Sequence, residues 1–424
     1  MIDAAPHLSD SRIANPEDPM PDTPAETIAA ILADPRFRAA VATLEREHDR
    51  TVEDIITLTE IPSPPFGEAA RAAAYLQMLR AHGLEAVEED AIGNVMGLRR
   101  GAGNDGLVCV AAHLDTVFPE GTEVRVRREG TRLHAPGIGD DTRSLAVILA
   151  FIRALDAAGI RTRRDLLFVG DVGEEGLGDL RGVRHLFTEG KYRDRIGAFF
   201  TVDSPEVDRI VVGGIGSKRF RVTFRGPGGH SFGAFGLVNP AYAMARAALA
   251  LSEIEAPRDP RTTHCASRLG GGTSVNAIPD AVWMEVDLRS QDAGVLAQIE
   301  HRFLEAVRAA VAAENEARST REGEVTAEIT PIGDRPAGQT PVESDIVRLA
   351  TAAVAAHGYT PMHEFSSTDA NIPMSLGIPA IKIGSGGRGA RAHSLEEWID
   401  VEKGESVRGM AAGLAAILAV AGMA

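Results

Sequence analysis

Short runs that are apolar at successive positions recur along the chain: NVMGL (94–98), LVCVAA (107–112), LLFVG (166–170), AFFTV (198–202) and AIKI (380–383). Such runs suit strands buried on both faces, as in an α/β sheet covered by helices. Between them the pattern turns helical. EAARAAAYLQMLRAHG (68–83) combines strong helix formers with a stop at Gly83, and SLAVILAFIRALDAAG (144–159) would cover one sheet face. Helical patterns also fill about 25 to 60, up to the prolines of IPSPP (61–65), which forbid continuation.

A different order occupies 214–331: strand KRFRVTFR, a helix opened by Asn239 and Pro240, strands near HCASRL and AVWMEVDLR, a helix from Asp292 to about Asn315, and strand EVTAEIT. That β-α-β-β-α-β order is ferredoxin-like and makes a self-contained insert. The expected fold is therefore α/β. A mixed, mostly parallel sheet flanked by helices would form a catalytic domain from 25–213 and 332–424, with an inserted α+β ferredoxin-like lid/dimerisation domain at 214–331. Residues 1–24 carry five prolines and no apolar period, which predicts a disordered arm.

Composition narrows the partners. Against 44 Lys and Arg stand 60 Asp and Glu, a net charge of −16 over 424 residues, which argues against nucleic acid or an anionic membrane as partner. No run approaches the roughly 20 apolar residues of a membrane span, and the first residues lack the basic and apolar regions of a signal peptide, so a cytoplasmic protein is expected. Cys109 and Cys265 are too few for a disulfide scaffold or a thiolate zinc site. Any metal must be held by His and carboxylates.

Candidate ligands stand at the ends of the apolar runs. LVCVAAHLD delivers His113 and Asp115, a spacing that suits a metal-bound imidazole and the acceptor that orients it. Taken singly, H-x-D would be a capped strand end. GIGDD carries Asp140 and Asp141 into a helix start, where one Asp alone would be an N-cap. Adjacent Glu174 and Glu175 follow LLFVG, Asp203 follows AFFTV, and His393 follows AIKI and a glycine-rich loop. Two acids forced together repel unless a cation intervenes. Ligands of open α/β sheets gather beyond the carboxyl ends of strands, so these distant residues can converge. Two His and several carboxylates without Cys match two zinc-like ions sharing a bridging carboxylate, and the paired Glu would divide into one ligand and one general base. Hydrolysis of an amide bond is the expected reaction. GSGGRG (384–389) formally reads as a dinucleotide fingerprint, but too little chain follows for the strands such a unit needs.

The segments IPSPPFGE, HLDTV, GIGDDTRS, GEEGLG, TVDSP, GPGGHS, SVNAIPD, DLRS, STDANI and AHSLEEW, in this order, resemble the dinuclear zinc aminoacylase/carboxypeptidase superfamily. It includes peptidase T, carboxypeptidase G, carnosinase and the acetylornithine and succinyl-diaminopimelate deacylases, and the pattern is nearest to peptidase T-like members. The resemblance spans roughly 50–424. It implies that His113, Asp140 and Asp203 hold one zinc (cobalt or manganese being possible) and that Asp140, Glu175 and His393 hold the other. Asp115 would orient His113, and Glu174 would be the general acid/base. His230 would reach the active site of the partner in a lid-mediated homodimer. Arg289 and Asn276 would bind the substrate's carboxylate and carbonyl, with Ser367, Thr368, Asp369 and Asn371 lining the same pocket. Thr142-Arg143, where members often have Lys-Gly or Lys-Ala, and VGEEG, where P-E-E-E is commoner, depart from the pattern without removing a ligand. Aspartate at the third carboxylate position, Asp203, goes in that family with aminopeptidase and dipeptidase activity. The resemblance thus favours a di- or tripeptidase acting on small peptides over an N-acyl amino acid deacylase or carboxypeptidase. A non-catalytic metal-binding scaffold is the reading of another class.

Overall fold

The computed structural model describes residues 23–103 and 105–424, so the arm expected at 1–24 lies outside the described residues except for its last two. Those two already belong to the fold. Thr23 and Glu26 form a capping box in front of the helix Pro24–Ala33, whose proline occupies the first turn, where no amide donor is needed. Helices Pro35–Arg46 and His48–Thr59 follow, and Ala69–Arg80 realises the helix expected from 68.

A nine-stranded mixed sheet organises the body. At its centre Asp165–Asp171, Leu107–His113, Ile196–Val202 and Ala380–Ile383 lie side by side and parallel. Every residue of Leu107–His113 and of Asp165–Asp171 is buried, the consequence of apolar side chains alternating between two covered faces. One face packs on the helices Arg143–Ala157, Asp345–Ala356 and Lys403–Ala421. The other packs on Arg181–Thr188 and the short helix Asn371–Ser375. Lys403–Ala421 is long and apolar enough, by length and composition, to cross a membrane, but it lies in this core with thirteen of its positions buried. Antiparallel strands extend both sides of the sheet, among them Glu85–Glu89, whose EAVEE sequence has no apolar alternation to announce it.

The lid sheet runs in the order Thr262–Gly271, Ala281–Ser290, Gly216–Arg225, Thr326–Arg335, all antiparallel, with helices Pro240–Ser252 and Ala293–Ala317 on one face and its own apolar core between them. This is the ferredoxin-like order. Its last strand continues to Arg335, beyond the expected boundary at 331, past a register shift between Pro331 and Gly333.

A small four-stranded sheet joins Arg127–Glu129 and Arg132–His134 to the hairpin Arg388–Ala390 and Trp398–Asp400. GSGGRG therefore turns into a strand of an antiparallel hairpin and not into the helix that a dinucleotide fingerprint opens. Gly386 and Gly387 have φ of 90° and 74°, and a Cβ on Gly386 would lie 2.9 Å from Ser406 O and Met410 N. Glycine is needed there for the turn and the close approach.

Buried Arg71 ties the 61–66 loop to the end of the 107–113 strand. Its Nη2 and Nε donate to Ile61 O at 2.7 and 3.2 Å, and its Nη1 donates to Leu114 O at 2.8 Å. Burial lowers its pKa to about 10, so it stays charged at neutral pH. Arg71→Met would leave these carbonyls without their donor in a buried region, at a cost of about 3 kcal/mol. Chemical denaturation should show a lower midpoint, and an unmoved midpoint would contradict this account of the loop.

Candidate metal centre and active site

The parallel strands deliver their terminal side chains to one place. His113 closes the 107–113 strand, Glu174 and Glu175 follow the 165–171 strand, and Asp203 follows the 196–202 strand. Asp140 stands before the helix Arg143–Ala157. His393 sits in the hairpin between Arg388–Ala390 and Trp398–Asp400, with φ of 63°. The small sheet explains how two of these meet: its strand Arg132–His134 leads into the Asp140 segment and pairs with the hairpin that carries His393.

Asp140 is the centre of the geometry. Its Oδ1 lies 3.0 Å from His113 Nε2, and its Oδ2 lies 3.1 Å from His393 Nε2. His393 Nε2 is also 2.9 Å from Glu175 Oε1. Ligand atoms of His113, Asp140 and Glu175 lie within 4.8 Å of one another, and so do those of His113, Asp141 and Asp203. Asp141 is thus as near as Asp140. The two differ in their partners: Asp141 Oδ2 accepts from the main-chain N–H of His113 at 3.2 Å and its buried Oδ1 has no hydrogen-bond partner among the described residues, whereas each oxygen of Asp140 faces a different imidazole.

The electrostatics of this set fit a cation. Burial pushes Asp203 up to about 6, with Asp140 beside it adding to the rise. Burial also pushes Glu174 up to about 8, against the pull of Arg335. Hydrogen bonds to Asp140 and Glu175 push His393 up to about 11. For His113 burial works against protonation, yet Asp115 and Asp140 raise its pKa well above the usual imidazole value. The raised imidazole basicity offsets the crowding of carboxylates, and an imidazole must shed any proton it holds to ligate a metal. Divalent ions would therefore displace such protons, and their affinity would fall as pH falls.

Asp115 meets His113 through its main chain and, at longer range, through its carboxylate. His113 Nδ1 is 3.0 Å from the main-chain O of Asp115, while the nearest carboxylate oxygen is 3.6 Å away. The carboxylate also accepts from the main-chain N–H groups of Glu174 and Glu175 at 2.9 and 2.8 Å, fixing the turn that presents both acids.

A cavity of about 630 Å³ opens over the cluster. Asp140, Glu174, Glu175, Asp203 and His393 line it from the body, Arg219, Arg289 and Arg335 from the lid sheet, and Ser367 and Thr368 from the STDANI segment. The other two candidates in that segment, Asp369 and Asn371, lie behind the wall. Asp369 is buried beside Asp171, and Asn371 is buried with its amide donating to Ile215 O and Pro336 O at 2.9 Å each. Asn371 therefore ties together the two chain crossings between body and lid with both its amide N–H groups, while its Oδ1 accepts from the main-chain N–H of Thr368 at 3.0 Å. Asn276 and His230 are also off this wall. Both sit at an exposed ribbon of the lid, where Gly229–His230 pairs with Ala277–Ile278. Main-chain N–H groups of Phe232 and Gly233 point at His230 Nδ1 at 3.2 and 3.3 Å, which puts the proton of the neutral ring on Nε2.

Two residues had no signal of their own in the sequence. Glu397, inside AHSLEEW, is buried and accepts from the N–H groups of Gly137, Gly139 and Asp140 at 2.8, 2.7 and 3.0 Å, so one carboxylate shapes the loop that carries Asp140. Arg335, at the end of a lid strand, reaches Glu174.

A parallel-centred sheet with a carboxylate and imidazole cluster at its strand ends, roofed by a ferredoxin-like lid, has the architecture of a metal-dependent hydrolase. The chain belongs to peptidase family M20/M25/M40, whose family model matches residues 109–419. Its fold is similar to that of aminopeptidase PepT from Bacillus cereus, at 23% identity, a TM-score of 0.71 and coverage of 88% of this chain and 99% of that one. A tripeptidase from Staphylococcus aureus is similar at 19% identity and a TM-score of 0.72, covering 88% of this chain and 98% of that one. A dinuclear metal-binding M20 peptidase from Bacillus subtilis has 18% identity and a TM-score of 0.64, covering 88% and 99%. None of the curated proteins compared with the chain matches it. The chain is a metal-dependent peptidase or amidohydrolase of this family.

Glu397→Gln keeps the volume but puts an amide donor against main-chain donors. The expected result is a metal affinity lower by about 10- to 100-fold with the fold retained. Competition with a chelating indicator measures it, and an unchanged affinity would remove Glu397 from the support of the site.

Proposed function

We propose that the chain hydrolyses amide bonds of small peptides as a di- or tripeptidase of aminopeptidase type, with Glu174 as general acid/base. The observation that carries the reading is Asp140, whose two oxygens face two different imidazoles as a bridging carboxylate must. His113, Asp140 and Asp203 would hold one ion and Asp140, Glu175 and His393 the other. The donor set of imidazole and carboxylate suits zinc, with cobalt or manganese as alternatives. When bound, such ions polarise a carbonyl and bring the pKa of water towards neutrality.

The remaining roles belong to side chains. Glu174 Oε1 is engaged by Arg335, which leaves Oε2 to take a proton from the attacking water as its oxygen bonds to the scissile carbon. As the carbon–nitrogen bond breaks, Glu174 Oε2 returns that proton to the leaving amine nitrogen. Asp115 holds Glu174 and Glu175 by their main-chain amides through this exchange. Arg289, with Nε tied to Asp287 Oδ2 at 2.7 Å, keeps both terminal nitrogens for a substrate carboxylate. Asp203 is shorter than a glutamate and lines the cavity, so it leaves room and negative charge for a free ammonium group. Thr368 would contribute to the pocket wall. His230, with a donor at Nε2, and Asn276 would serve the site of a second copy in a lid-paired homodimer. Domain limits near 25–213 with 332–424 and 214–331, and a cytoplasmic setting, complete the reading. The fold shared with an aminopeptidase and a tripeptidase supports it.

A carboxypeptidase or N-acyl amino acid deacylase would use the same Arg289 fork, and a substrate panel separates them. With zinc, cobalt or manganese added, dipeptides and tripeptides with free amino termini should be cleaved and their N-acetylated forms should not. Glu174→Ala should retain metal while its turnover drops by about 10²- to 10⁴-fold. Preferred cleavage of N-acylated substrates would reverse the choice of aminopeptidase, and a fully active Glu174→Ala would remove Glu174 as the base.

A further inference from the structure

Arg335 ends a strand of the lid sheet, yet its guanidinium is buried in the body. Nη1 donates to Glu174 Oε1 at 3.1 Å and to Ser367 Oγ at 3.0 Å, and Nη2 donates to the main-chain O of Glu174. One fork thus holds both the carboxyl group and the backbone of the same glutamate. A planar guanidinium can fix position and direction in this way, and a lysine ammonium cannot.

The turn after Glu174 and the helix Arg181–Thr188 that follows it are bound to the lid at three further points. Asp179 accepts from the main-chain N–H of Asp334 at 3.0 and 2.9 Å, Arg184 donates to Asp334 O at 2.6 Å, and Arg219 donates to Gly176 O at 2.9 Å. Asp179 and Leu180 have φ of 54° and 60°, a conformation side-chain-bearing residues seldom adopt, so the turn depends on surrounding contacts to keep its shape.

Strand register extends the connection to the substrate side. Arg335 faces Ser217 across one strand pair, and Ser217 faces Arg289 across the next. Directly opposed residues project from one face of a sheet, so Arg335 and Arg289 stand on the same face about 10 Å apart at two strand spacings. Both line the cavity, and Arg335 is the one that also holds Glu174.

We propose that Arg335 is a positioning residue for Glu174: it locks the acid/base to the foot of the lid sheet, in fixed relation to the arginine that faces the substrate. The inference rests on the assignment of Glu174 made above.

Arg335→Ala and Arg335→Lys are compared with the parent and with Glu174→Ala, each loaded with metal and each metal-free. Arg335→Ala should bind the parental amount of metal and lose about 10²-fold in kcat, the scale of an ångström-level misplacement, with KM little changed. Added methylguanidinium should restore part of that kcat in Arg335→Ala and none in Glu174→Ala. In the metal-free protein, amide exchange across 174–180 should quicken in Arg335→Ala. Arg335→Lys, which keeps the charge without the fork, should lose kcat in the same direction by a smaller factor, and it carries the test if the alanine variant does not fold. Parental kcat in either variant, a loss confined to KM, or a loss of kcat without faster exchange at 174–180 would overturn the inference. An active Glu174→Ala would overturn the assignment of Glu174 itself. An inactive Glu174→Ala beside fully active Arg335 variants would overturn only the role of Arg335.

Discussion

Negative charge packed at the carboxyl ends of parallel strands is the constraint on which this structure turns. Asp140, Asp141, Glu174, Glu175 and Asp203 crowd around two imidazoles in a largely buried place, where mutual repulsion and lost hydration both disfavour ionised carboxylates. Without compensation such a cluster would push its elements apart. The raised basicity of His113 and His393 offsets it, and divalent cations would balance it more fully. The helices and strands behind the site serve to keep these acids from separating.

Support for the cluster comes from buried polar groups that touch none of the reacting atoms. Glu397 gathers three N–H groups of the Asp140 loop, Asp115 gathers two from the turn bearing Glu174 and Glu175, and Arg71 pins the loop that lies against the end of the His113 strand. Each uses one charged side chain to satisfy several main-chain groups, which is how a buried charge repays its desolvation. The lid attaches to the body by the same means, through Asn371 at the two crossings and through Arg335, Asp179 and Arg184 at the turn after Glu174 and the helix that follows it.

Much of this could be read from the sequence because apolar runs end where chemistry begins. LVCVAA, LLFVG and AFFTV gave both the strands and the residues that follow them, and the β-α-β-β-α-β order of the lid followed from its alternating patterns and the Asn239-Pro240 helix start. Other features left no local trace. Glu85–Glu89 is a strand by pairing alone, since EAVEE has no apolar face. The lid's last strand outran its expected end because Pro331 and Gly333 hide an extension that a register shift makes possible. Family-like motifs placed STDANI near the site but could not say which side of a loop each residue faces, so Thr368 lines the cavity while Asp369 and Asn371 lie behind it. The H-x-D spacing pointed to Asp115 beside His113 but could not say that its carbonyl oxygen would lie nearer the ring than its carboxylate. Glu397 and Arg335 act over more than 150 positions of chain, a distance at which a single charged residue carries no pattern.

The central claim is that Asp140 joins two metal positions. X-ray absorption at the metal edge, on protein loaded with zinc or manganese and freed of excess ion, tests it directly. The account requires two ions per chain with a metal–metal vector of about 3.5 to 4 Å that disappears in Asp140→Ala. A single ion per chain, or two with no such vector in the parent protein, would contradict it.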